Sequence, residues 1–191
     1  MKKIKIPIEI SARHIHITKE DFKKLFGKED LTFLKKLKHN QFSAKETIDL
    51  KNGDRILKNI RIVGPFRSQT VIELSLTDFI YLKLKPNFYI GLKNEKIKKI
   101  NKVKILGPKG SIETNNVVIH LRHIHINPEK AKKYKLKHGK KVSVEVKGFK
   151  GAILNNVYIR VDKDFDFSLH LDTDEGNAVG IIKKGIGYIL K

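Results

Sequence analysis

One short stretch of this sequence occurs twice, and that duplication limits the folds open to the chain. Residues 10–18 read Ile-Ser-Ala-Arg-His-Ile-His-Ile-Thr, and residues 119–127 read Ile-His-Leu-Arg-His-Ile-His-Ile-Asn. A helix-capping residue ends each copy, Thr18 in the first and Asn127 in the second, and a lysine-rich segment follows. Internal repetition indicates duplicated supersecondary units. The sequence therefore predicts two related modules, each with a strand, a His-x-His motif and a helix.

Short segments with alternating apolar residues follow each predicted helix, and turn-forming residues separate them. The predicted strands include residues 47–50, 56–63, 71–76, 142–146, 157–161 and 165–171. This spacing favours mostly antiparallel β-structure in two small barrels, which remove exposed strand edges by closure. Residues 81–104 are predicted to be a connection. The acidic and amide residues of 172–178 indicate either a cation site or a solvated turn.

The composition excludes several kinds of site. The chain has 191 residues, 40% of them apolar, which is enough for a packed core. It has no cysteine, so disulfides, thiolate ligands and thiol nucleophiles are excluded, and a bound metal needs imidazole or carboxylate ligands. Neither a secretory signal nor an apolar stretch long enough to span a bilayer is present. We therefore expect a cytoplasmic protein with no membrane partner.

The formal net charge of +21 would suit a polyanionic partner such as nucleic acid. However, only six of the 41 basic residues are arginine, and the lysines are scattered along the chain. The basic stretches also lack the interleaved aromatic residues on which single-stranded bases stack. We therefore predict no nucleic-acid partner, and a zinc-stabilised nucleic-acid-binding protein stays an alternative.

The two His-x-His motifs are the strongest indication of chemistry. Residues two apart on a strand share a face, so His14 and His16 project together, as do His123 and His125. Imidazoles on one strand face can converge on a divalent ion at about 2.0 Å. The same parity puts His120 on the opposite face, outside the predicted site. Two such motifs in a repeat favour a transition metal, with zinc the best fit.

Three further candidates follow from strand parity and turns. Glu73 opposes the apolar face of the strand at 70–76, as a carboxylate ligand or as part of a solvated face. His170 shares the polar face of the strand at 165–172, with the same two interpretations. Arg67 lies at the turn before the Glu73 strand, where its guanidinium would bind an oxyanion bidentately unless it is only an exposed loop residue.

Five spaced motifs resemble the signatures of the PduL-type phosphate propanoyltransferases, a family of phosphotransacylases. They are found at residues 8–16 (I-E-I-S-A-R-H-I-H), 64–73 (G-P-F-R-S-Q-T-V-I-E), 107–111 (G-P-K-G-S), 122–125 (R-H-I-H) and 170–177 (H-L-D-T-D-E-G-N). Their order matches the family from residue 6 to residue 180. Several motifs in the right order are far more specific than any one of them.

The resemblance implies a mainly β fold of two small interlaced antiparallel β-barrels with short capping α-helices, in which each barrel takes strands from distant parts of the chain. The nominal limits of the two repeats are residues 1–110, with His-x-His at 14–16, and residues 111–191, with His-x-His at 123–125. Because the barrels exchange strands, these limits mark the two repeats of the sequence and not the boundaries of two folded domains.

The resemblance also implies a phosphate acyltransferase that interconverts acyl-CoA plus phosphate with acyl phosphate plus CoA, using one or two zinc ions. Matched by position, the metal ligands would be His14, His16, Glu73, His123, His125 and His170. Arg67 would be the catalytic residue that binds phosphate. The residues near CoA would be Ser11, Arg61, His170 and Asn177.

The residues present favour direct attack of phosphate on the thioester carbonyl, since no cysteine can carry the acyl group. The expected partners are acyl-CoA and inorganic phosphate, and a homo-oligomer is compatible with the sequence. Family members housed in bacterial microcompartments carry an amphipathic N-terminal extension, and the segment before the first predicted strand is too short for one. We therefore expect a free cytosolic enzyme of a short-chain acid, without a microcompartment shell partner.

A cupin-like metal enzyme is the other alternative. The residues His14-Ile-His16, Glu20 and Gly27 fit the cupin pattern H-x-H-x3-E-x6-G. However, Glu20 falls within the helix that Thr18 is predicted to cap, whereas a cupin ligand lies on a strand. The second repeat also lacks the corresponding glycine.

Overall fold

The computed structural model of the protein describes residues 3–38 and 40–190. Its strands are β1 (Ile4–Ser11), β2 (His14–His16), β3 (Phe33–Lys36), β4 (Phe42–Asn52), β5 (Arg55–Gly64), β6 (Val71–Glu73), β7 (Phe88–Tyr89), β8 (Val103–Leu106), β9 (Ser111–Thr114), β10 (Val117–His120), β11 (His123–Ile126), β12 (Lys141–Val146), β13 (Ala152–Val161), β14 (Ser168–Asp172) and β15 (Lys184–Leu190). Its helices are α1 (Lys19–Phe26), α2 (Leu76–Tyr81), α3 (Pro128–Lys133) and α4 (Thr173–Ala178). None of these helices is long and apolar enough to cross a membrane.

The strands form two sheets, which confirms the predicted mainly β class. One sheet is a closed barrel in the order β1-β14-β11-β13-β12-β15. The other has nine strands in the order β7-β10-β6-β2-β5-β4-β8-β9, with β3 added beside β4. The hairpins are antiparallel, as predicted, but the pairs β1–β14, β11–β13, β2–β5 and β10–β6 are parallel. Each of these parallel pairs joins two strands that are not adjacent in the sequence.

The strand that precedes each His-x-His motif lies in a different sheet from the motif. β1 belongs to the barrel and β2 to the nine-stranded sheet, whereas β10 belongs to the nine-stranded sheet and β11 to the barrel. One compact unit accordingly comprises the described residues of 1–12, 90–95 and 120–191, and the other those of 13–89 and 96–119. The nominal repeat limits at 1–110 and 111–191 stay a prediction.

Each unit has its own apolar core. In the barrel, the alternating residues Ile4, Ile6 and Ile8 of β1 point inward and pack with residues of β11, β13 and β14. In the nine-stranded sheet, the core is built around Ile15 of β2 and Phe22 of α1, both fully buried. In both motifs the residue between the two histidines is buried, so core packing holds the His-x-His strand in place.

Helices α1 and α3 begin where the sequence predicted. Thr18 caps α1 by accepting a hydrogen bond from the backbone N–H of Asp21. Asn127 caps α3 in the same way, accepting from the N–H of Lys130, and Pro128 occupies the first turn. The two helices therefore confirm the predicted strand, motif, cap and helix order in both repeats.

Helices α2 and α4 were missed, and both begin with a capping box. The strand predicted to run to residue 76 ends at Glu73, because Ser75 and Asp78 exchange hydrogen bonds that start α2. Asp172 and Glu175 start α4 by the same exchange. The acidic segment at 172–178 is therefore a capped helix rather than a turn. An acidic residue three positions after the cap was the available signal in both cases.

The carboxyl group of Glu175 is partly buried at the start of α4. It lies 3.5 Å from Nε of Arg122 and accepts a hydrogen bond from the backbone N–H of Asp172. Burial, and after it the adjacent Asp172, raises the pKa of Glu175 from 4.5 to about 7, while Arg122 acts in the opposite direction. The native protein therefore holds this proton more tightly than the unfolded chain does.

We expect Glu175→Gln to stabilise the protein at pH 8 and to have a smaller effect at pH 4.5. The carboxyl contributes its full stability below pH 4.5 and loses it as the pH rises to about 7, whereas glutamine does not ionise. The gain at pH 8 should reach about 2–3 kcal/mol, measured by urea unfolding across this pH range. Glu20→Gln, in the exposed first turn of α1, is the control. A gain that does not change with pH would contradict this origin.

Candidate active site

The first His-x-His motif meets a carboxylate from the neighbouring strand. β2 and β6 pair antiparallel, with His14 directly opposite Glu73. Nε2 of His14 lies 3.6 Å from one carboxylate oxygen of Glu73, and Nε2 of His16 lies 3.8 Å from the other. The three side chains are only 12–21% exposed. These residues form the first triad, with three potential metal-binding atoms turned toward one another.

Hydrogen bonding fixes the orientation of His16 within the first triad. Its Nδ1 lies 3.1 Å from the carbonyl oxygen of Val63, so the proton belongs on Nδ1 and Nε2 carries a lone pair. Burial, and after it the neighbouring His14, lowers the pKa of His16 from 6.5 to about 4, although Glu73 acts in the opposite direction. The imidazole is therefore neutral at neutral pH, which is the form that binds metals.

The second motif meets a histidine at the corresponding position. β11 and β14 pair antiparallel, with His123 directly opposite His170. The Nε2 atoms of His123 and His125 are 3.1 Å apart, and Nε2 of His170 lies 3.0 Å from Oγ of the fully buried Ser168. His123 and His125 are 6% and 8% exposed. We call His123, His125 and His170 the second triad.

His123 is oriented by the same kind of backbone contact as His16. Its Nδ1 lies 2.7 Å from the carbonyl oxygen of Leu121, which leaves Nε2 for the triad. Burial is the main reason why the pKa of His123 lies well below its usual value, and the nearby His120 and Arg160 act in the same direction. This imidazole is also neutral at neutral pH.

Both triads fit a tetrahedral metal ion. The ligand atoms of each triad lie within 4.8 Å of one another. Two atoms bound to zinc at 2.0–2.1 Å are about 3.3 Å apart at the tetrahedral angle. The separations of 3.6 and 3.8 Å in the first triad and of 3.1 Å in the second lie within about 0.5 Å of that value. Three protein ligands would leave a fourth position for substrate, as in catalytic rather than structural zinc sites.

Arg67 lies beside the first triad. Its backbone N–H donates to the carbonyl oxygen of Ile17, which ties the turn that carries it to the residue after His16. Its positive charge is one of the causes that lower the pKa of His16, after burial and His14. The side chain is exposed. A cation that substrate can reach therefore lies next to the candidate metal ligands.

Comparison with known proteins identifies the family of this chain. The profile of the phosphate propanoyltransferases matches residues 7–182. Phosphate propanoyltransferases of Lachnoclostridium phytofermentans, Limosilactobacillus reuteri and Salmonella typhimurium are 38%, 34% and 34% identical to the chain. These matches cover 92%, 97% and 94% of the chain and 83%, 87% and 86% of the respective relatives.

The chain belongs to the phosphate propanoyltransferase family. It is therefore a transferase, and the family supports phosphate acyltransferase activity. The cupin alternative loses its support, because Glu20 lies on α1 and donates no ligand to the motif. Its carboxylate instead accepts a hydrogen bond of 2.6 Å from Nζ of Lys24.

In this member of the phosphate propanoyltransferase family, the residues predicted to lie near CoA occupy different elements. Ser11 ends β1 and is paired with Asp172 of β14. Asn177 is exposed on α4, and its carbonyl oxygen accepts from Nζ of Lys150. Arg61 lies on β5 opposite His14, but its Nη1 donates to the carbonyl oxygens of residues 44 and 45. Arg61 therefore supports the β4–β5 pairing through these backbone contacts.

Two residues near the second triad were missed in the sequence. His120 was placed on the opposite face, yet its ring centroid is 4.8 Å from that of His123. Strand parity does not apply to His120, because β10 ends at this residue and β11, which belongs to the other sheet, begins at His123. Nη1 of Arg160 lies 3.3 Å from Nε2 of His123. Only the pairing of β13 with β11 brings Arg160 there, and no spacing in the sequence indicates it.

We expect Arg61→Lys to lower the free energy of unfolding by about 1–2 kcal/mol, because the lysine side chain is one bond shorter and its Nζ does not reach the position from which Nη1 donates both hydrogen bonds. Urea unfolding measures the effect. Arg55 at the start of the same strand is half-buried and, within the part of the chain that the structure describes, donates no hydrogen bond to the backbone of a neighbouring strand, so Arg55→Lys should change stability by less than about 0.5 kcal/mol. Equal stabilities of the two variants would show that the backbone contacts of Arg61 contribute little.

Proposed function

We propose that this chain is a zinc-dependent phosphate acyltransferase that interconverts short-chain acyl-CoA plus phosphate with acyl phosphate plus CoA. The observation that carries the proposal is the pair of triads, each with two histidines of one strand and a third ligand from the next strand. Their occurrence in a chain of the phosphate propanoyltransferase family links this arrangement to acyl transfer.

The proposed zinc ligands are the six residues of the two triads. His14, His16 and Glu73 would hold one ion, and His123, His125 and His170 a second. The neutral, backbone-oriented imidazoles of His16 and His123 support this assignment. When bound, zinc would supply a Lewis acid that polarises a carbonyl or phosphate oxygen.

Arg67 would bind the phosphate nucleophile. A guanidinium holds two phosphate oxygens with parallel hydrogen bonds and partly offsets their charge. The turn that carries Arg67 is anchored to the end of β2, so its position relative to the first triad is fixed. Holding phosphate and thioester together replaces an encounter in solution by a reaction within one complex.

The reaction needs no covalent enzyme intermediate. A phosphate oxygen forms a bond to the thioester carbonyl carbon, the carbon–sulfur bond breaks, and CoA leaves as its thiolate, which then takes up a proton. The chain has no cysteine to carry the acyl group, which favours this direct route. Ser11, Arg61, His170 and Asn177 are the proposed CoA contacts. The names of the relatives favour propanoyl-CoA or a similar short-chain substrate.

The activity is tested by phosphate-dependent release of free CoA from propanoyl-CoA and acetyl-CoA. We expect release by the wild-type protein that a chelator abolishes. Arg67→Ala should lower kcat/KM by about 10²–10³-fold, because it removes one preorganised charged donor. Arg55→Ala should leave it unchanged. No release by folded, metal-loaded wild-type protein would refute the proposed function.

Metal content tests the two triads separately. Glu73→Gln and His170→Gln should each lower the bound zinc from about two ions per chain to about one, since each change leaves the other triad intact. Elemental analysis after dialysis gives the count. Glu113→Gln and His138→Gln, the same changes outside the triads, are the controls. Unchanged zinc in both triad variants would remove these residues from the proposed ligand set.

A further inference from the structure

We propose that Arg160 is a further anion-binding residue of the reaction, which holds the phosphoryl oxygens of phosphate or acyl phosphate at the second triad. This inference rests on the proposed function and extends it to a residue outside the motifs of the sequence. It assigns each triad one arginine, Arg67 for the first and Arg160 for the second.

The geometry directs Arg160 at the ligand atoms of the second triad. Arg160 lies on β13, opposite His125 in the parallel pairing with β11. Its Nη1 is 3.3 Å from Nε2 of His123. That nitrogen is the one turned toward the second triad, because Nδ1 of the same ring faces the carbonyl oxygen of Leu121. A ligand held at the second triad would therefore lie within reach of the guanidinium.

Packing holds the Arg160 side chain in this orientation. The ring of Phe165 lies 5.5 Å from Cζ of Arg160 and stacks on His125 at 3.8 Å between centroids. On another side lies Gly91, where an added Cβ would come within 3.0 Å of Nη2 of Arg160. The guanidinium is thus positioned before substrate arrives, which lowers the entropy lost on binding.

The loop that carries Gly91 is itself fixed by one carboxylate. Glu95 accepts hydrogen bonds from the backbone N–H groups of Ile90, Gly91 and Leu92. Gly91 has a φ of +75°, a left-handed conformation that glycine adopts without strain. The contacts of Glu95 and the conformation of Gly91 therefore fix the close approach of this loop to Arg160.

Charge explains why an anion belongs at this position. The first triad contains the carboxylate of Glu73, but the second consists of three imidazoles. A zinc ion held by neutral imidazoles keeps its full positive charge, and Arg160 adds another. A guanidinium and a dication at one site attract an anion more strongly than either does alone. A phosphate group suits such a site, because it can bind a metal and a guanidinium with different oxygens.

The unit that contains the first triad has an apolar residue at the equivalent position. In the parallel pairing of β2 with β5, His14 is opposite Arg61. Two residues further along, Val63 of β5 lies beside His16. Arg160 occupies the position that corresponds to Val63. The arginine is therefore not a general feature of the repeated fold but belongs to the triad that has no carboxylate.

The test compares Arg160→Gln and Arg160→Lys with the wild type and with Arg55→Gln. Each protein is loaded with cobalt, whose visible spectrum responds to anions bound at the metal, and is titrated with inorganic phosphate. Metal content is measured on the same samples. The KM values for phosphate and for acyl-CoA are determined on the zinc-loaded proteins.

We expect Arg160→Gln to keep its metal and to weaken phosphate binding by about 10–100-fold, with a similar rise in the KM for phosphate and a smaller change for acyl-CoA. Arg160→Lys should lie between this variant and the wild type, and it replaces Arg160→Gln in the comparison if the glutamine variant does not fold. Arg55→Gln should match the wild type.

Wild-type phosphate affinity in both Arg160 variants would overturn the proposal. Loss of phosphate binding only in proportion to lost metal would also overturn it, because Arg160 would then support the metal site alone. If the wild type releases no CoA with phosphate, the proposed function fails. The cobalt titration does not depend on turnover and still decides the role of Arg160.

Discussion

The site depends on the register between each His-x-His strand and its antiparallel neighbour. In one sheet His14 is paired with Glu73, and in the other His123 is paired with His170. Side chains alternate between the faces of a strand, so a slip of one residue would turn the third ligand away from the two histidines. The buried isoleucine between the histidines of each motif opposes such a slip, because it would have to leave the core. Core packing and ligand geometry are therefore fixed by the same pairing.

The repeat provides two copies of one geometry with different charge. Both copies take two imidazoles from one strand, orient one of them through a backbone carbonyl, and take a third ligand from the paired strand. The third ligand is a carboxylate in one copy and an imidazole in the other. A carboxylate reduces the charge of a bound dication, whereas an imidazole does not. Duplication thus gives two candidate metal sites that share a geometry and differ in charge.

Much of this was accessible from the sequence. Strand parity grouped His14 with His16 and His123 with His125, and the caps at Thr18 and Asn127 marked two helices correctly. Parity is a local rule and works where the strand is continuous. It gave the wrong face for His120, because one strand ends at that residue and the next begins only at His123. The partner strands, the parallel pairings and Arg160 depend on contacts between segments far apart in the chain, and no local pattern records which distant strand lies alongside another.

The position of β1 in the barrel affects how the protein folds during its synthesis. β1 is the first strand of the chain in order, yet its partners in the barrel are β14 and β15, the last two. A ribosome therefore releases the apolar face of Ile4, Ile6 and Ile8 long before the residues that cover it exist. Contacts of such sequence separation form slowly, and an unpaired apolar strand is prone to aggregation in the meantime. The barrel therefore cannot close before its last two strands have been synthesised.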